Sequence, residues 1–180
     1  MRELADAERI RRFMDSLGRE AEREVRLYFT GGATAVLLGW RLTTIDVDIR
    51  VIPEDDRLFR ALPTLKETLR INVELACPAD FIPELPGWQD RSPFIELRGM
   101  VSFHHHDFYA QALAKIERHH AQDVVDLQEM LRRKLVGPGE LSRFFEQIEP
   151  LVYRYPAIDP ATFRRTVQDA VGGGGTRADR

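Results

Sequence analysis

The chain contains little cysteine and no long apolar run. Cys77 is the only cysteine among 180 residues, so an internal disulfide is excluded and a zinc site built from cysteines is disfavoured. Its apolar surroundings favour an inert, packed thiol. No stretch approaches the roughly 18 consecutive apolar residues of a membrane span, and the charged segment Met1–Asp6 lacks the apolar region of a signal peptide. We therefore expect a protein of the reducing cytoplasm that does not engage a membrane.

An excess of positive charge is also missing. The formal net charge is −3, which gives no overall attraction to nucleic acid, so any contact with RNA would have to be local. Basic residues cluster at Arg9–Arg12, Arg132–Lys134 and Arg164–Arg165, although each cluster also fits an ordinary solvated helix face. With 43% hydrophobic residues, the chain can bury one sizeable core, or form a catalytic domain with a small helical extension, and we expect a complete globular unit.

A pair of glycines follows the first predicted strand. Arg26–Thr30 predicts a strand that ends at Gly31 and Gly32, and the alanine-rich run Ala33–Trp40 predicts a short buried helix. Such a turn directs backbone N–H groups outward, and the positive end of the helix dipole helps them to hold phosphate oxygens. Glycine also lets a phosphate approach without a side-chain clash. The pattern therefore predicts a phosphate-binding turn.

Two acidic residues share one face of the next predicted strand. Apolar and charged residues alternate along it in the order Ile45, Asp46, Val47, Asp48, Ile49, Arg50 and Val51. A period of two places Asp46 and Asp48 on the same face. Neighbouring carboxylates repel each other, and Mg²⁺, which typically binds through one or two carboxylates and substrate phosphates, would offset that cost. The alternative is that both aspartates form the solvated face of an edge strand.

The glycine turn and the acidic strand together carry a family resemblance. Gly31-Gly32, thirteen intervening residues and Asp46-x-Asp48 resemble the signature of the DNA polymerase β nucleotidyltransferase superfamily. In particular, the chain resembles the small bacterial members related to abortive-infection and toxin–antitoxin nucleotidyltransferases. Most members carry Gly-Ser at the turn, so the Gly-Gly of this chain would have to act through its backbone. The resemblance covers roughly Leu27–Leu131.

The resemblance implies a fold and a reaction. The fold is an α+β domain with a mixed, mostly antiparallel nucleotidyltransferase-type sheet packed with helices. We place this domain at residues 1–136, a helical C-terminal extension at 137–171 and, from the glycine run, a disordered tail at 172–180. The implied reaction is transfer of a nucleoside monophosphate from a nucleoside triphosphate, with Mg²⁺ or Mn²⁺ as the cofactor.

The resemblance also assigns roles to single residues. Asp46 and Asp48 would be catalytic metal ligands. Ile71–Ala76 predicts a neighbouring strand with Glu74 on its polar face, so Glu74 would be the third metal-binding carboxylate, although an exposed strand glutamate is the alternative. The residues that would contact the nucleotide are Gly31, Gly32, Thr34 and Lys115.

A lysine and an aspartate complete the implied site. Lys115–Leu127 resembles the lysine helix and the Arg-Asp-x-x-Asp-Leu-like segment of abortive-infection-type enzymes, except that Gln122 replaces the usual basic residue. Lys115 would be catalytic and would neutralise triphosphate charge, whereas a snorkelling surface lysine is the alternative. Asp123, also assigned to the catalytic set, would orient Lys115 or act on the acceptor. Asp126 would make a capping or structural contact.

Further elements are predicted from hydrophobic periodicity and from glycine and proline positions. Helices are predicted at Leu4–Val25, Asp55–Leu69 with Pro63 as a kink or break, Asp107–Arg118, Val124–Leu135 and two segments after Gly137. The hairpin Phe94–Phe103 is predicted to turn at Arg98 and Gly99, and the proline-rich loop Cys77–Trp88 is expected to be ordered through its apolar residues.

Three consecutive histidines, His104, His105 and His106, end the predicted hairpin. Adjacent strand residues point to opposite faces, so only His104 and His106 could share a zinc ion, with Asp107 and a histidine from the next helix as further ligands. The alternative is that the histidines line a polar cleft, where one of them could contact phosphate, and that Asp107 caps the next helix.

Two rival functions stand beside the nucleotidyltransferase. One is a catalytically inactive nucleotidyltransferase-like binding or antitoxin module, and the other is a zinc-dependent hydrolase built on the histidines. Retention of both Asp46 and Asp48 favours the enzyme. Its partners would be a nucleoside triphosphate, an acceptor that is a transfer RNA, a protein or a small molecule, and, for a toxin, a cognate antitoxin protein.

Overall fold

The computed structural model describes residues 3–173. Over these residues the chain is an α+β protein with seven α-helices, a five-stranded mixed sheet and a two-stranded antiparallel sheet. The helices are α1 (Ala7–Glu20), α2 (Gly31–Leu37), α3 (Asp56–Leu69), α4 (Phe108–Arg118), α5 (Ala121–Arg132), α6 (Pro138–Ile148) and α7 (Pro160–Gly172). The strands are β1 (Ala5–Asp6), β2 (Val25–Thr30), β3 (Thr43–Thr44), β4 (Asp46–Ile52), β5 (Asn72–Leu75), β6 (Phe94–Arg98) and β7 (Val101–His105). None of these helices has the length and apolar character needed to cross a bilayer.

The chain forms two compact units. The first holds the residues up to Cys77 together with Arg91–His106, and the second holds Pro78–Asp90 together with the residues from Asp107 onward. All of the strands and helices α1 to α3 belong to the first unit, and α4 to α7 belong to the second. The predicted domain boundary at residue 136 stays a prediction, because units formed by packing need not coincide with functional domains.

The five-stranded sheet of the first unit has the order β5-β4-β2-β7-β6. β2 pairs antiparallel with β4, and β6 pairs antiparallel with β7, whereas β4–β5 and β2–β7 are parallel pairs. The mixed sheet confirms the prediction, but the strands pair equally in both directions rather than mostly antiparallel. Parallel pairs require long crossover connections, and hydrophobic alternation does not reveal which strands a crossover brings together.

One face of this sheet carries the core of the first unit. The buried core residues of the two central strands are Val25, Leu27, Phe29, Val47, Ile49 and Val51. They pack with Phe13 and Leu17 of α1 and with Leu58 of α3. The rings of Phe29 and Phe103 stack with their centroids 5.8 Å apart, which joins β2 to β7 on this face. The polar residues of β4 consequently lie on the opposite face.

The hairpin between β6 and β7 depends on glycine. Gly99 has a φ of +56°, in the left-handed region that favours glycine. A Cβ atom on Gly99 would meet the backbone of Gly18 in α1, and a Cβ atom on Gly18 would lie 2.6 Å from the carbonyl oxygen of Arg98. The two glycines therefore let the hairpin lie directly against α1. The predicted hairpin with a turn at Arg98 and Gly99 is confirmed.

Helix α4 is central in the second unit, where it contacts α5, α6 and α7. Its residues from Ala110 to Ile116 are all buried, including the polar Gln111 and Lys115. Three neighbouring helices cover α4, so it is buried on more sides than hydrophobic periodicity alone predicts. On α6, Phe144, Phe145 and Ile148 form a buried apolar stripe.

The proline-rich loop is ordered in the second unit, as predicted. Ile82, Leu85 and Trp88 are buried. The Tyr155 hydroxyl also donates a hydrogen bond to the carbonyl oxygen of Ala79 at 2.8 Å, which fixes the start of the loop. At the other end of this unit α7 ends at Gly172, and residues 174–180 of the predicted tail lie outside the described residues.

Some element boundaries differ from the sequence prediction. α1 begins after Asp6, not at Leu4, because the Asp6 carboxylate caps the helix by accepting from the Arg9 backbone N–H at 2.9 Å. α3 continues through Pro63, which is solvent-exposed and does not break it. Ile45 is exposed rather than buried beside the apolar residues of β4, because that strand begins one residue later.

Candidate active site

The polar face of β4 carries both predicted aspartates. Asp46, Asp48 and Arg50 are half-buried, and they alternate with the buried apolar residues of the same strand. The predicted alternation is therefore confirmed. β4 has a neighbouring strand on each side, so the alternative of a solvated edge strand is wrong. Hydrogen bonds to the two neighbouring strands hold the backbone of an inner strand, and this fixes the spacing of the two carboxylates.

Residues from three strands form a row beside these aspartates. In the sheet register Asp48 lies opposite Thr30 of β2 and opposite Glu74 of β5, and Asp46 lies opposite Asn72. Cross-strand partners share a face, so the predicted third carboxylate lies on the same face as the first two. Glu74 is exposed, in contrast to the half-buried Asp46 and Asp48.

The glycine turn lies directly against Asp48. Gly31 is the first residue of α2 and has a φ of +59°, a conformation that side chains other than glycine rarely adopt. A Cβ atom at this position would lie 3.0 Å from Oδ2 of Asp48. At Gly32 a Cβ atom would meet the Thr44 hydroxyl and would lie 3.2 Å from Nη1 of Arg41. Both glycines are therefore required by local packing, and the first of them leaves space beside a site carboxylate.

Asn72 links two of the carboxylates. Its side-chain amide donates to Oδ1 of Asp46 at 2.6 Å and to Oε1 of Glu74 at 2.8 Å. One amide can donate two hydrogen bonds, so Asn72 fixes one oxygen of each carboxylate and separates the two charges. Asn72 is not among the site residues predicted from the sequence. Its position on the polar face of a predicted strand was a signal, but the parallel register with β4 could not be read from the pattern.

The donor set fits a hard divalent cation. Within residues 3–173, no three His, Cys, Asp or Glu side chains are grouped so that they could hold a metal ion by themselves. Mg²⁺ does not need such a group, because it commonly keeps several waters and binds through one or two carboxylates with substrate phosphates. Asp46 and Asp48 supply those oxygens, and glycine at position 31 leaves room beside Asp48. Glu74 as a third ligand stays a prediction.

Thr34 and His105 support the glycine turn from the core side. The buried Thr34 hydroxyl donates to the carbonyl oxygen of Phe29 at 3.2 Å, and Nδ1 of His105 lies 3.1 Å from the same hydroxyl oxygen. A hydroxyl has one proton to donate, so a Thr34 hydroxyl that donates to Phe29 can accept from His105 in the tautomer that carries its proton on Nδ1. These bonds connect α2 to β2 and β7. Thr34, predicted to contact the nucleotide, thus uses its hydroxyl within the fold, and the nucleotide contact stays a prediction.

The other two histidines lie near aromatic residues. The His104 ring lies 5.2 Å from the Tyr28 ring and 5.5 Å from the Phe94 ring, and the His106 ring lies 6.1 Å from that of Tyr28. Burial lowers the pKa of His104, so its neutral form is favoured. As predicted, Asp107 caps α4 by accepting from the Tyr109 backbone N–H at 3.1 Å. The zinc alternative has no ligand group among residues 3–173.

Lys115 lies in a cluster of buried charges in the second unit. Only 7% of this lysine is exposed, which excludes the surface alternative. Its ammonium donates to Oδ2 of Asp126 at 2.7 Å and to Oδ1 of Asp123 at 3.4 Å. Nε of Arg118 lies 3.4 Å from Oδ2 of Asp123. The cluster therefore contains two cations and two buried carboxylates.

This arrangement bears on the roles predicted for the cluster. Asp123 contacts Lys115 at 3.4 Å and Asp126 contacts it at 2.7 Å, so the orienting role of Asp123 stays a prediction. Asp126 is fully buried in the middle of α5 and does not cap it. Breaking a buried ion pair from one side is costly, because the remaining charge stays buried without compensation. Lys115 is therefore a structural residue of its unit, whatever its role toward a nucleotide.

The described residues thus form two clusters, each within one unit. The first comprises Asp46, Asp48 and Glu74 with Gly31 and Asn72, and the second comprises Lys115, Asp123 and Asp126 with Arg118. Comparison with models of protein families, with curated proteins and with solved structures gives no match to this chain. The geometry of these clusters is therefore the basis for proposing a function.

The buried His105 predicts a pH-dependent stability. Burial lowers the pKa of His105 from the ordinary 6.5 to about 4. As the pH falls through this window the unfolded chain binds the proton and the folded chain does not, so the free energy of unfolding should fall by about 3 kcal/mol from this residue. We expect urea denaturation of His105→Gln to show a smaller fall in the free energy of unfolding between pH 6.5 and about pH 4. His120→Gln, at an exposed position, is the control and should behave as the wild type. If the free energy of unfolding fell equally with pH in all three proteins, the low pKa assigned to His105 would be contradicted.

The Lys115 cluster predicts a large loss of stability. Lys115→Met should reduce the free energy of unfolding by about 3–5 kcal/mol, because Asp126 would remain buried without its cation. Adding Asp126→Asn removes that charge at nearly constant volume and should recover a substantial part of the loss. Lys134→Met, at an exposed lysine of the same unit, should change stability by less than about 0.5 kcal/mol. Thermal and urea denaturation of the variants measure this, and an unchanged Lys115→Met protein would be incompatible with the cluster.

Proposed function

We propose that this chain is a metal-dependent nucleotidyltransferase, which transfers a nucleoside monophosphate from a nucleoside triphosphate to an RNA, protein or small-molecule acceptor. The observation that carries the proposal is the packing of Asp48 against Gly31, with Asp46 beside it on the same half-buried strand face. This combination brings two carboxylates next to a turn where glycine leaves space beside one of them. It supports phosphoryl chemistry better than zinc chemistry, since the site offers carboxylates rather than imidazoles.

The metal-binding residues in this proposal are Asp46 and Asp48, with Glu74 as a further candidate. When bound, Mg²⁺ or Mn²⁺ would stabilise negative charge on the phosphate oxygens and lower the pKa of the acceptor group. The side-chain amide of Asn72 holds Oδ1 of Asp46, and so limits the orientations that this carboxylate can adopt. A carboxylate fixed in advance loses less entropy when it takes a ligand.

The other contributions come from the turn and from the basic residue on the same face. Gly31 keeps a side chain away from Asp48, whereas Gly32 is required by its packing against Thr44 and Arg41. Arg50 follows Asp48 by two residues on the polar face of β4, where a guanidinium favours the binding of phosphate oxygens. The charge of Lys115 is already offset by two carboxylates of its own unit, so its predicted role at the triphosphate stays a prediction.

The two aspartates provide the direct test of this function. We expect Asp46→Asn and Asp48→Asn each to reduce Mg²⁺-dependent transfer from α-labelled triphosphates by about 100-fold or more, because each removes charge from a metal ligand. Mn²⁺ binding, followed by electron paramagnetic resonance, should weaken in parallel, while melting temperatures stay close to that of the wild type. Chelation should abolish transfer, and added Mg²⁺ should restore it.

Asp56→Asn, at an exposed aspartate of the same unit, serves as the control and should retain transfer. Full transfer by either site variant would overturn the mechanism. Wild-type protein that binds a triphosphate with Mg²⁺ but transfers nothing to RNA, protein or small-molecule acceptors would favour the inactive binding module instead.

The glycine turn supplies a second test with a matched control. Gly31 and Gly39 both have a positive φ, but a Cβ atom at Gly39 would have no neighbour within 4 Å, whereas one at Gly31 would approach Asp48. Both Gly31→Ala and Gly39→Ala should lose about 1 kcal/mol of stability through backbone strain. Only Gly31→Ala should also weaken binding of Mn²⁺ and of a non-hydrolysable triphosphate, measured by calorimetry. Equal affinities of the two variants would exclude Gly31 from the site.

A further inference from the structure

Three buried threonines lie beside the glycine turn, and one of them has a hydroxyl without a hydrogen bond inside the fold. Thr34 donates its hydroxyl proton to the carbonyl oxygen of Phe29, and Thr44 donates to the carbonyl oxygen of Asp46 at 3.0 Å. Thr30, the residue before the turn, is only 8% exposed. In the part of the chain that the structure describes, its hydroxyl neither caps α2 nor bonds to any other group.

Thr30 lies on the same face of the sheet as the proposed metal ligands. In the antiparallel pair of β2 and β4 it is the register partner of Asp48. Side chains that lie opposite each other in such a pair have Cβ atoms about 4.5–5.5 Å apart. The next residue, Gly31, is the position where a Cβ atom would lie 3.0 Å from Oδ2 of Asp48. The Thr30 side chain therefore borders the space that glycine leaves beside this carboxylate.

The Thr30 hydroxyl is open to solvent although the residue as a whole is buried. Within residues 3–173, the side-chain atoms that have neither solvent contact nor a hydrogen-bond partner do not include this oxygen. A hydroxyl that is taken largely out of water without a partner costs free energy. Valine has the same shape and is equally suited to a strand, so packing and strand propensity do not favour threonine over valine here. A ligand that accepts the hydroxyl proton would favour threonine.

We propose that Thr30 is a substrate-binding residue, whose hydroxyl donates a hydrogen bond to a phosphate oxygen of the triphosphate beside Asp48. This inference rests on the proposed nucleotidyl transfer, which brings a metal ion and a phosphate to that carboxylate. A phosphate oxygen is a charged acceptor, and hydrogen bonds to charged acceptors are stronger than those between neutral groups. The hydroxyl therefore adds affinity for the triphosphate and none for the metal ion alone.

Two substitutions of Thr30 separate its hydroxyl from its shape, since Thr30→Val removes the hydroxyl and Thr30→Ser keeps it. The ligand is whichever α,β-methylene nucleoside triphosphate, of adenosine, guanosine, cytidine or uridine, the wild type binds best with Mg²⁺. In calorimetry we expect Thr30→Val to bind it about tenfold or more weakly, and Thr30→Ser to stay within about threefold of the wild type. Inorganic tripolyphosphate should lose affinity for Thr30→Val by the same factor, because the contact is to phosphate. Binding of Mn²⁺ alone and the melting temperature should not fall.

Thr64→Val, at an exposed threonine of α3, is the matched control and should bind every ligand as the wild type does. Equal affinity of the wild type and Thr30→Val for the triphosphate would remove Thr30 from the site and leave the proposed function in place. A loss of affinity for the nucleotide but not for tripolyphosphate would assign the hydroxyl to the ribose, and weaker Mn²⁺ binding or a lower melting temperature would make its role structural; either result refutes the phosphate contact. Wild-type protein that binds neither phosphate ligand would refute the proposed function together with this contact.

Discussion

Repulsion between Asp46 and Asp48 is the constraint on which the first unit depends. Both carboxylates lie half-buried on one face of an inner strand, where each loses water and faces the charge of the other. The neighbouring residues reduce this cost: Asn72 donates to Asp46, Gly31 makes space at Asp48, and Arg50 follows on the same face. A bound cation would remove the remaining repulsion, and the proposed metal-dependent function rests on that expectation.

In the second unit, buried carboxylates are compensated by cationic side chains of the same unit. There Lys115 and Arg118 compensate two carboxylates inside the helical unit, so the cluster is close to neutral without a ligand. The ammonium of Lys115 lies 2.7 Å from Asp126, whereas Asp123 lies 3.4 Å from Lys115 and 3.4 Å from Arg118. The same chain thus contains one cluster that we propose to hold a metal cation and one whose charges compensate each other within the fold.

Several features could be predicted from the sequence because they depend on local periodicity. The alternation along β4, the turn at Gly99 and the capping of α4 by Asp107 all follow from neighbours in the chain. The roles of Asn72 and His105 could not be predicted, since each depends on a partner that a crossover brings close in space. The burial of Lys115 could not be predicted either, because three helices cover α4 and helical periodicity describes only one helix at a time.

The edge position of β5 has a consequence for motion in the first unit. This strand has four residues and pairs only with β4, and Leu75 at its end is 57% exposed. Short edge strands open locally at a lower free-energy cost than inner strands. Opening of β5 would carry Asn72 and Glu74 away together and leave Asp46 and Asp48 in place on the inner strand. The frequency of that opening, visible as amide hydrogen exchange along β5, therefore limits how long Asp46 keeps a single orientation.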